Sequence, residues 1–240
     1  MLAAWRFLTV LPFPGTLGTQ SRDLSASLPY FTLVGLGLGF LLAAAARLLV
    51  LVSPVPLTAV LLTALMAALS GALHLDGLAD TADGFASARG RDQVLAIMRD
   101  SRIGAMGVVA LLLVLALKAA ALAALPPSRL VAALLLAPLA GRTAILVHLT
   151  LLPYVRASGL ASAFLAGPRR LAVVLGLVTL AALAFTCGRA AVIALVAWVV
   201  VLALFGLVCR RRIGGITGDT LGAVCELAEV TILCGMALEF

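Results

Sequence analysis

The sequence predicts an all-α protein: a polytopic transmembrane helical bundle of about seven spans, forming one integral membrane domain over residues 1–240. Two observations lead to this fold class. Of the 240 residues, 64% are hydrophobic and only 11% are charged, whereas a soluble domain has roughly 45–50% apolar and 25% charged residues. The apolar residues also form long continuous runs rather than alternating with polar ones, which argues against a transmembrane barrel.

Seven runs reach the roughly 20 apolar residues that a helix needs to cross a bilayer. In chain order the predicted spans are residues 30–51, 54–74, 104–125, 129–152, 171–187, 190–209 and 219–238. Residues 2–13 are apolar but too short to cross, and Trp5 among them favours a helix that lies at the membrane interface. We therefore assign 1–29 to an N-terminal interfacial segment.

The basic residues predict which side of the membrane each loop occupies. A net charge of +7 would suggest a nucleic-acid partner in a soluble protein, but here the lipid bilayer is the expected partner and no nucleic acid is expected. Segments 1–29, 75–103, 153–170 and 210–218 carry 12 of the 17 Lys and Arg residues, and the opposite side carries three. The positive-inside rule then places the N-terminus and these three loops in the cytoplasm.

Five of the ten acidic residues fall between positions 76 and 100. Asp76, Asp80 and Asp83 are spaced i, i+4, i+7, which puts three carboxylates in one stripe of a helix. No Lys or Arg three or four positions away compensates these charges. We therefore expect a bound divalent cation to offset the repulsion between the carboxylates. Carboxylate oxygens suit Mg²⁺, with Mn²⁺ as a second choice, and substrate phosphates and water would complete the shell.

Further along the same segment, basic and acidic residues alternate. We expect Asp100 to return to the metal site from the start of the third span, although it fits equally well as the cap of that span. Arg99 and Arg102 flank it, and arginine suits bidentate contacts to phosphate. His74, which precedes the acidic stripe, is either a buried structural residue or a substrate contact. Acids for a metal and arginines for phosphate predict a phosphoryl-transfer site in a cytoplasmic, Asp-rich loop at 75–103.

A basic, glycine-rich turn opens the last span. Residues 210–218 read Arg-Arg-Arg-Ile-Gly-Gly-Ile-Thr-Gly, and backbone amides at a helix start favour anions. The candidate substrate contacts in this turn are Gly215, Thr217, Gly218 and Asp219. Asp219 also fits an N-cap, and the arginines also fit a topology signal.

Two further acids lie deeper in that span. Glu226 and Glu229 are predicted to sit inside the bilayer, where a carboxylate needs a partner. Arg142 is half-way along the fourth span and has the matching depth. The sequence therefore predicts a buried Arg142–Glu226 pair.

Together these strings resemble the cobalamin synthase family, the adenosylcobinamide-GDP ribazoletransferases. The resemblance rests on His-Leu-Asp-Gly-Leu-Ala-Asp-Thr-Ala-Asp-Gly at 74–84 and on Met-Arg-Asp-Ser-Arg-Ile-Gly-Ala-Met-Gly at 98–107. Gly-Arg at 141–142, Pro-Tyr-Val-Arg at 153–156 and the segment 214–226 are similar to later blocks of the family. The similarity covers nearly the whole chain.

The resemblance implies the final assembly step of the cobalamin nucleotide loop. In that reaction adenosylcobinamide-GDP is joined to α-ribazole, or to its 5′-phosphate, with release of GMP and a requirement for Mg²⁺. We expect an enzyme of the bacterial inner membrane, and the arginine count predicts that its active site faces the cytoplasm. A homo-oligomer, or association with other corrinoid-assembly enzymes, is left open.

By the same resemblance, roles can be assigned to individual residues. The positions implied for Mg²⁺ and diphosphate are Asp76, Asp80, Asp83 and Asp100. Asp83 is our choice for the group that accepts the hydroxyl proton, with Asp80 as the second catalytic carboxylate. The positions implied for phosphate contacts are Arg99, Arg102 and Arg156.

Two other functions compete with this one. The stretch 80–84 also fits the start of the pattern D-x2-D-G-x2-A-R of the CDP-alcohol phosphotransferases, but Arg89 comes one position late. A cation-coupled transporter would use intramembrane charges such as Arg142 and Glu226. Against transport, five acids lie at one membrane face rather than at the midplane, where carriers bind their substrates.

Overall fold

The computed structural model describes residues 1–12, 20–156 and 159–238, and this part of the chain is built from α-helices. In chain order these are α1 (Leu2–Leu8), α2 (Ser21–Ser25), α3 (Phe31–Val52), α4 (Val55–Leu69), α5 (Leu73–Ala86), α6 (Arg91–Ile97), α7 (Ala105–Ala124), α8 (Pro127–Leu151), α9 (Arg169–Thr186), α10 (Arg189–Ile213) and α11 (Gly218–Ala237). Short 3-10 helices span Leu28–Tyr30 and Leu160–Phe164. Residues 13–19 of the predicted N-terminal segment, and Glu239, lie outside the described residues.

Six of these helices are long and apolar enough to cross a membrane: α3 with the 3-10 turn before it, α7, α8, α9, α10 and α11. The predicted class, an all-α polytopic membrane protein, is thereby confirmed. In their most apolar windows α8 and α11 are 72% and 78% buried, whereas the other four are 22–39% buried. The first two are therefore the central helices, and the others present leucine- and valine-rich faces outward, as lipid contact requires.

The predicted second span, 54–74, is wrong at its end. α4 stops at Leu69, and the chain bends by 90° before α5 begins at Leu73. Gly71 and Ala72 make the bend in the left-handed region, with φ of +61° and +56°. The bent pair α4 and α5 can be counted as a seventh span. Much of the predicted loop 75–103 is thus helical, in α5 and α6.

The N-terminal helix packs on the bundle. Ala3, Ala4 and Leu8 of α1 are buried. A Cβ atom on Gly37 of α3 would lie 2.6 Å from the ring of Trp5, so the two helices touch at this glycine. This contact holds α1 against the first part of α3.

α3 also packs closely on α8. A Cβ atom on Gly35 would lie 2.7 Å from the carbonyl oxygen of Pro138, and one on Gly39 would lie 2.8 Å from the Cα of Leu135. Small residues permit such close contact between membrane helices. The first half of α3 is thereby held beside the middle of α8.

Successive crossings alternate in direction, so the helix ends fall on two faces. The starts of α3, α7, α9 and α11 and the ends of α4, α8 and α10 share one face, which we call the site face. A backbone bridge joins Tyr154 and Ile216 there. On the opposite face, Arg129 at the start of α8 donates a hydrogen bond of 3.0 Å to the carbonyl of Leu238 after α11.

Four ionisable side chains meet between α7, α8 and α11, each at most 5% exposed. Lys118 Nζ donates to Glu226 Oε2 at 2.7 Å and to Glu229 Oε2 at 2.6 Å. Arg142 Nη1 donates to Glu229 Oε1. The predicted Arg142–Glu226 pair is therefore wrong, because depth along a helix does not determine which of two carboxylates faces the arginine. Two cations and two anions give a neutral network, as a bilayer interior favours.

Candidate active site

α5 crosses the start of α11 at Gly77. A Cβ atom on this glycine would lie 2.7 Å from the carbonyl oxygen and 3.0 Å from the Cα of Asp219. Any larger residue would push the two helices apart. The neighbouring Asp76 and Asp219 line one cavity. The close crossing therefore joins two acidic clusters that lie far apart in the sequence.

The acidic stripe lies along α5 as its spacing predicted. Asp76 is exposed, and Asp80 and Asp83 are half-buried. Asp80 lies close enough to Asp76, Asp83, Asp219 and Arg156 to interact with their charges. Within the described residues, neither Asp76 nor Asp80 accepts a hydrogen bond, so the oxygens of these two carboxylates are available for a ligand.

Asp83 has a different environment. Its Oδ2 accepts the N–H of Gly104 at 2.7 Å, and its Oδ1 accepts the N–H of Gly107 at 2.8 Å. The first amides of a helix have no partner inside it, and a carboxylate there is also favoured by the helix dipole. Asp83 thus caps α7 from a different helix, which is the role that the alternative interpretation gave to Asp100.

Asp100 pairs instead with Arg102 in the loop before α7. Arg102 Nη2 donates to Oδ2 at 2.7 Å and Nε donates to Oδ1 at 3.0 Å. These hydrogen bonds lower the pKa of Asp100 to about 2. The two side chains are 39% and 86% exposed, and Arg99 is exposed as well. None of the three lines the cavity described below.

The glycine-rich turn before α11 pairs with the loop after α8. The N–H of Val155 donates to the carbonyl of Ile216 at 3.0 Å, and the N–H of Ile216 donates to the carbonyl of Pro153 at 2.8 Å. A Cβ atom on Gly215 would overlap the Pro153 carbonyl oxygen, so this position requires glycine. Gly215 thus has a structural role that explains its place in the sequence.

This pairing delivers Arg156 to the acidic cluster. Arg156 Nη2 lies 2.7 Å from Asp219 Oδ2, and the two side chains are only 12% and 18% exposed. The N-cap of α11 is Thr217, whose Oγ1 accepts the N–H of Thr220 at 3.3 Å. Asp219 is therefore not the cap, and its carboxylate faces the arginine and the cavity.

A cavity of about 230 Å³ lies at the centre of this arrangement on the site face. Its polar lining comes from α5, the start of α11 and the loop after α8: His74, Asp76, Tyr154, Arg156, Gly218 and Asp219. Its apolar lining comes mainly from α1, the start of α3, the end of α8 and the second 3-10 helix: Phe7, Phe31, Ile145, Leu149 and Phe164. His74, predicted to be either a buried structural residue or a substrate contact, is only 4% exposed and lines the cavity.

Several residues of this region were not predicted from the sequence. Tyr154 stands in the Pro-Tyr-Val-Arg block, whose family resemblance was the one available signal. Phe7, Phe31 and Phe164 belong to three separate segments, and no local pattern links them. Lys118 falls within the predicted span 104–125, and no local pattern indicates its partners.

The donor chemistry of the site fits Mg²⁺. Among the described residues no group of three or more His, Cys, Asp or Glu side chains is arranged to hold a metal ion. Mg²⁺, however, is commonly held by only one or two carboxylates, with substrate phosphates and water as its other ligands. Asp76 and Asp80, one helical turn apart with unengaged oxygens, meet that requirement.

Carboxylates with unengaged oxygens beside a largely buried arginine, on one face of a helical membrane bundle, are the features of a membrane-embedded phosphotransferase. Residues 1–237 match the family model described as cobalamin-5-phosphate synthase. The chain belongs to that family.

Curated relatives cover nearly the full length of the chain. A protein of Stutzerimonas stutzeri is 44% identical over 100% of this chain and 98% of its own length. A protein of Geotalea daltonii is 42% identical over 98% and 94%, and one of Roseiflexus is 41% identical over 98% and 88%. Each of the three is named adenosylcobinamide-GDP ribazoletransferase. No solved structure matches the chain.

Proposed function

We propose that this protein is an adenosylcobinamide-GDP ribazoletransferase that completes the nucleotide loop of cobalamin. The observation that carries the proposal is the full-length similarity to relatives with that name. The site supports the proposal. Transfer of a phosphoryl group to a hydroxyl acceptor uses carboxylates that bind a cation and an arginine that balances phosphate charge, and the site contains both residue types. The acceptor is α-ribazole or its 5′-phosphate.

The reaction is a displacement at phosphorus. A sugar hydroxyl oxygen of the ribazole attacks the phosphorus that carries cobinamide, and a new P–O bond forms. The bond from that phosphorus to the bridging oxygen of the diphosphate breaks, and GMP leaves with the bridging oxygen. The hydroxyl proton passes to a carboxylate. Arg156, largely buried and pre-oriented by Asp219, balances negative charge on the phosphates.

We assign Mg²⁺, or Mn²⁺ in its place, to Asp76 and Asp80. When bound, the ion neutralises the diphosphate and stabilises the leaving phosphate. Asp219 lines the cavity and is our choice for the proton acceptor. Asp83, to which the sequence analysis gave that role, has both oxygens engaged by α7, so we assign it to positioning this helix.

The test is GMP release by the purified protein in detergent with Mg²⁺, adenosylcobinamide-GDP and α-ribazole. We expect GMP and the joined corrinoid product in equal amounts. Asp80→Asn should abolish release, whereas Asp92→Asn, which neutralises an exposed acid on α6, should retain it. If wild-type protein releases no GMP while both substrates stay intact, the proposed function is wrong.

We further propose that the protein resides in the bacterial inner membrane with the site face toward the cytoplasm. The support is the arginine count, 12 of 17 basic residues in the segments of that face. In a cysteine-free background, Ala88→Cys marks the site face and Ser128→Cys marks the opposite one; both positions are exposed. A membrane-impermeant thiol reagent applied to intact spheroplasts should label only the cysteine at 128. Labelling of the cysteine at 88 would reverse the orientation.

A further inference from the structure

One wall of the cavity is an aromatic cluster. The rings of Phe7 and Phe31 are stacked, with centroids 6.2 Å apart. Phe164 meets both edge-on, at 4.8 Å and 5.3 Å. Ile145 and Leu149 of α8 extend the same apolar surface. This wall offers no hydrogen-bonding side chain.

The rest of the cavity lining carries polar groups without partners. His74 Nε2 and Tyr154 Oη are buried, and neither has a hydrogen-bond partner in the part of the chain that the structure describes. Both residues line the cavity. Partial burial raises the pKa of the Tyr154 phenol, so this hydroxyl stays protonated and can donate at neutral pH. Buried polar atoms that lack partners are costly, and a ligand would satisfy them.

The size of the cavity indicates which of the two substrates can enter it. At about 230 Å³ it lies just below the usual range of small-molecule pockets. A corrin macrocycle is far too large to enter it. The base of α-ribazole is dimethylbenzimidazole, a flat two-ring aromatic with two methyl groups and no amino or keto group, and its dimensions suit the space.

We propose that this cavity is the acceptor subsite, with the benzimidazole base against Phe7, Phe31 and Phe164 and the sugar toward Asp76 and Asp219. His74 and Tyr154 then bond the ring nitrogen that is not attached to the sugar, or the sugar hydroxyls. The corrinoid and its diphosphate stay outside the cavity, on the side of α5 where Asp76 is exposed. This inference rests on the proposed function and deepens it.

The same lining discriminates against guanine, the base of the other substrate. Guanine in a nucleotide carries an amino group, a keto oxygen and one ring N–H, and the aromatic wall would leave without partners whichever of these groups face it. A benzimidazole loses nothing there and gains stacking or edge-on aromatic contacts. The cavity therefore favours the acceptor base because that base has no amino or keto group to leave without a partner.

The test uses the full-length protein in detergent with Mg²⁺ and measures KM separately for α-ribazole and for adenosylcobinamide-GDP. Tyr154→Phe removes one hydroxyl and should raise the KM for α-ribazole about tenfold, the usual effect of one lost hydrogen bond. The KM for adenosylcobinamide-GDP should stay within about twofold. Phe164→Leu should likewise raise only the α-ribazole KM. Tyr30→Phe is the matched control, because Tyr30 is the one other tyrosine of the chain and does not line the cavity.

Equilibrium dialysis with α-ribazole alone keeps this inference separate from the proposed function. Binding by wild-type protein that Tyr154→Phe weakens supports the subsite even if no GMP is ever released. Normal turnover with an unchanged α-ribazole KM in both cavity variants overturns the subsite and leaves the proposed function standing. A rise in the KM for adenosylcobinamide-GDP alone, or no binding of α-ribazole by wild-type protein, also overturns it.

Discussion

The carboxylate of Asp83 links two helices. It belongs to α5, yet both of its oxygens accept hydrogen bonds from the first amides of α7. A carboxylate in this position satisfies amides that have no partner within α7 and interacts favourably with its dipole, and it also ties the two helices together. The position of the Asp-rich stripe therefore depends on α7.

Replacement of this carboxylate should loosen the start of α7. In Asp83→Asn one oxygen becomes an amide nitrogen, which cannot accept an N–H, and we expect a loss of about 1–2 kcal/mol. Amide hydrogen exchange at residues 104–108 should become faster, and the thermal midpoint should fall. Asp92→Asn on α6 serves as the control. Unchanged exchange at 104–108 would contradict the capping role.

Single residues also show where sequence reasoning stops. The helical spacing of Asp76, Asp80 and Asp83 correctly placed them in one stripe, because period alone determines that. It could not distinguish Asp83 from the other two, since the N–H groups that it accepts come from residues on another helix. Asp100 was expected to reach the site or to cap α7. In the structure it does not cap α7 or line the cavity, and both of its oxygens accept hydrogen bonds from Arg102, two residues away. Its role as a metal ligand stays a prediction.

At the scale of elements, α5 is held at several places. Gly77 rests on the start of α11, and Asp83 is bonded to α7. Arg212 at the end of α10 donates to the carbonyl of Phe85 at 2.9 Å, in the last turn of α5. An arginine near a helix C-terminus satisfies carbonyls that lack partners and favours the dipole. Three neighbouring helices thus fix the helix that carries the acids.

The crossing at Gly77 should tolerate no added atom. In Gly77→Ala the new Cβ would meet the Asp219 backbone at 2.7 Å, and overpacking of this kind costs typically about 1–3 kcal/mol. We expect a lower thermal midpoint and a loss of GMP release, because Asp76 and Asp219 move apart. Gly90→Ala is the control, since its Cβ would meet nothing within 4 Å. A Gly77→Ala protein as stable and active as wild type would refute the close crossing.

The bend between α4 and α5 explains why the end of the second span was misplaced. Residues 70–73 remain small or apolar, so hydropathy continues through the bend without a signal. The turn is made by backbone angles at Gly71 and Ala72. Alanine rarely adopts a positive φ, so the sequence gives little warning there. The six long spans were predictable because each ends at prolines, glycines or charges.

At the scale of the molecule, three helices converge on the ionic network of Lys118, Arg142, Glu226 and Glu229. In Lys118→Met two buried carboxylates would share the single cation of Arg142, and breaking a buried pair costs about 3–5 kcal/mol. The yield of folded protein and its thermal midpoint should fall sharply. The double variant Lys118→Met with Glu226→Gln restores a neutral network and should recover most of the loss. A double variant no more stable than the single one would argue against charge balance as the reason.

The network also constrains the order in which the protein is made. Lys118 and Arg142 are translated before both of their anionic partners, Glu226 lying 108 residues after Lys118 and Glu229 lying 87 residues after Arg142. An isolated lysine or arginine at the centre of a membrane helix costs about 2.5–3.5 kcal/mol on insertion. The mean hydropathy of 2.4 in α7 and 2.1 in α8 must therefore carry these cations into the bilayer unaided. Glu226 and Glu229 neutralise these cations only when α11 has been made. α7 and α8 therefore enter the membrane with uncompensated charge, and α11 completes the network.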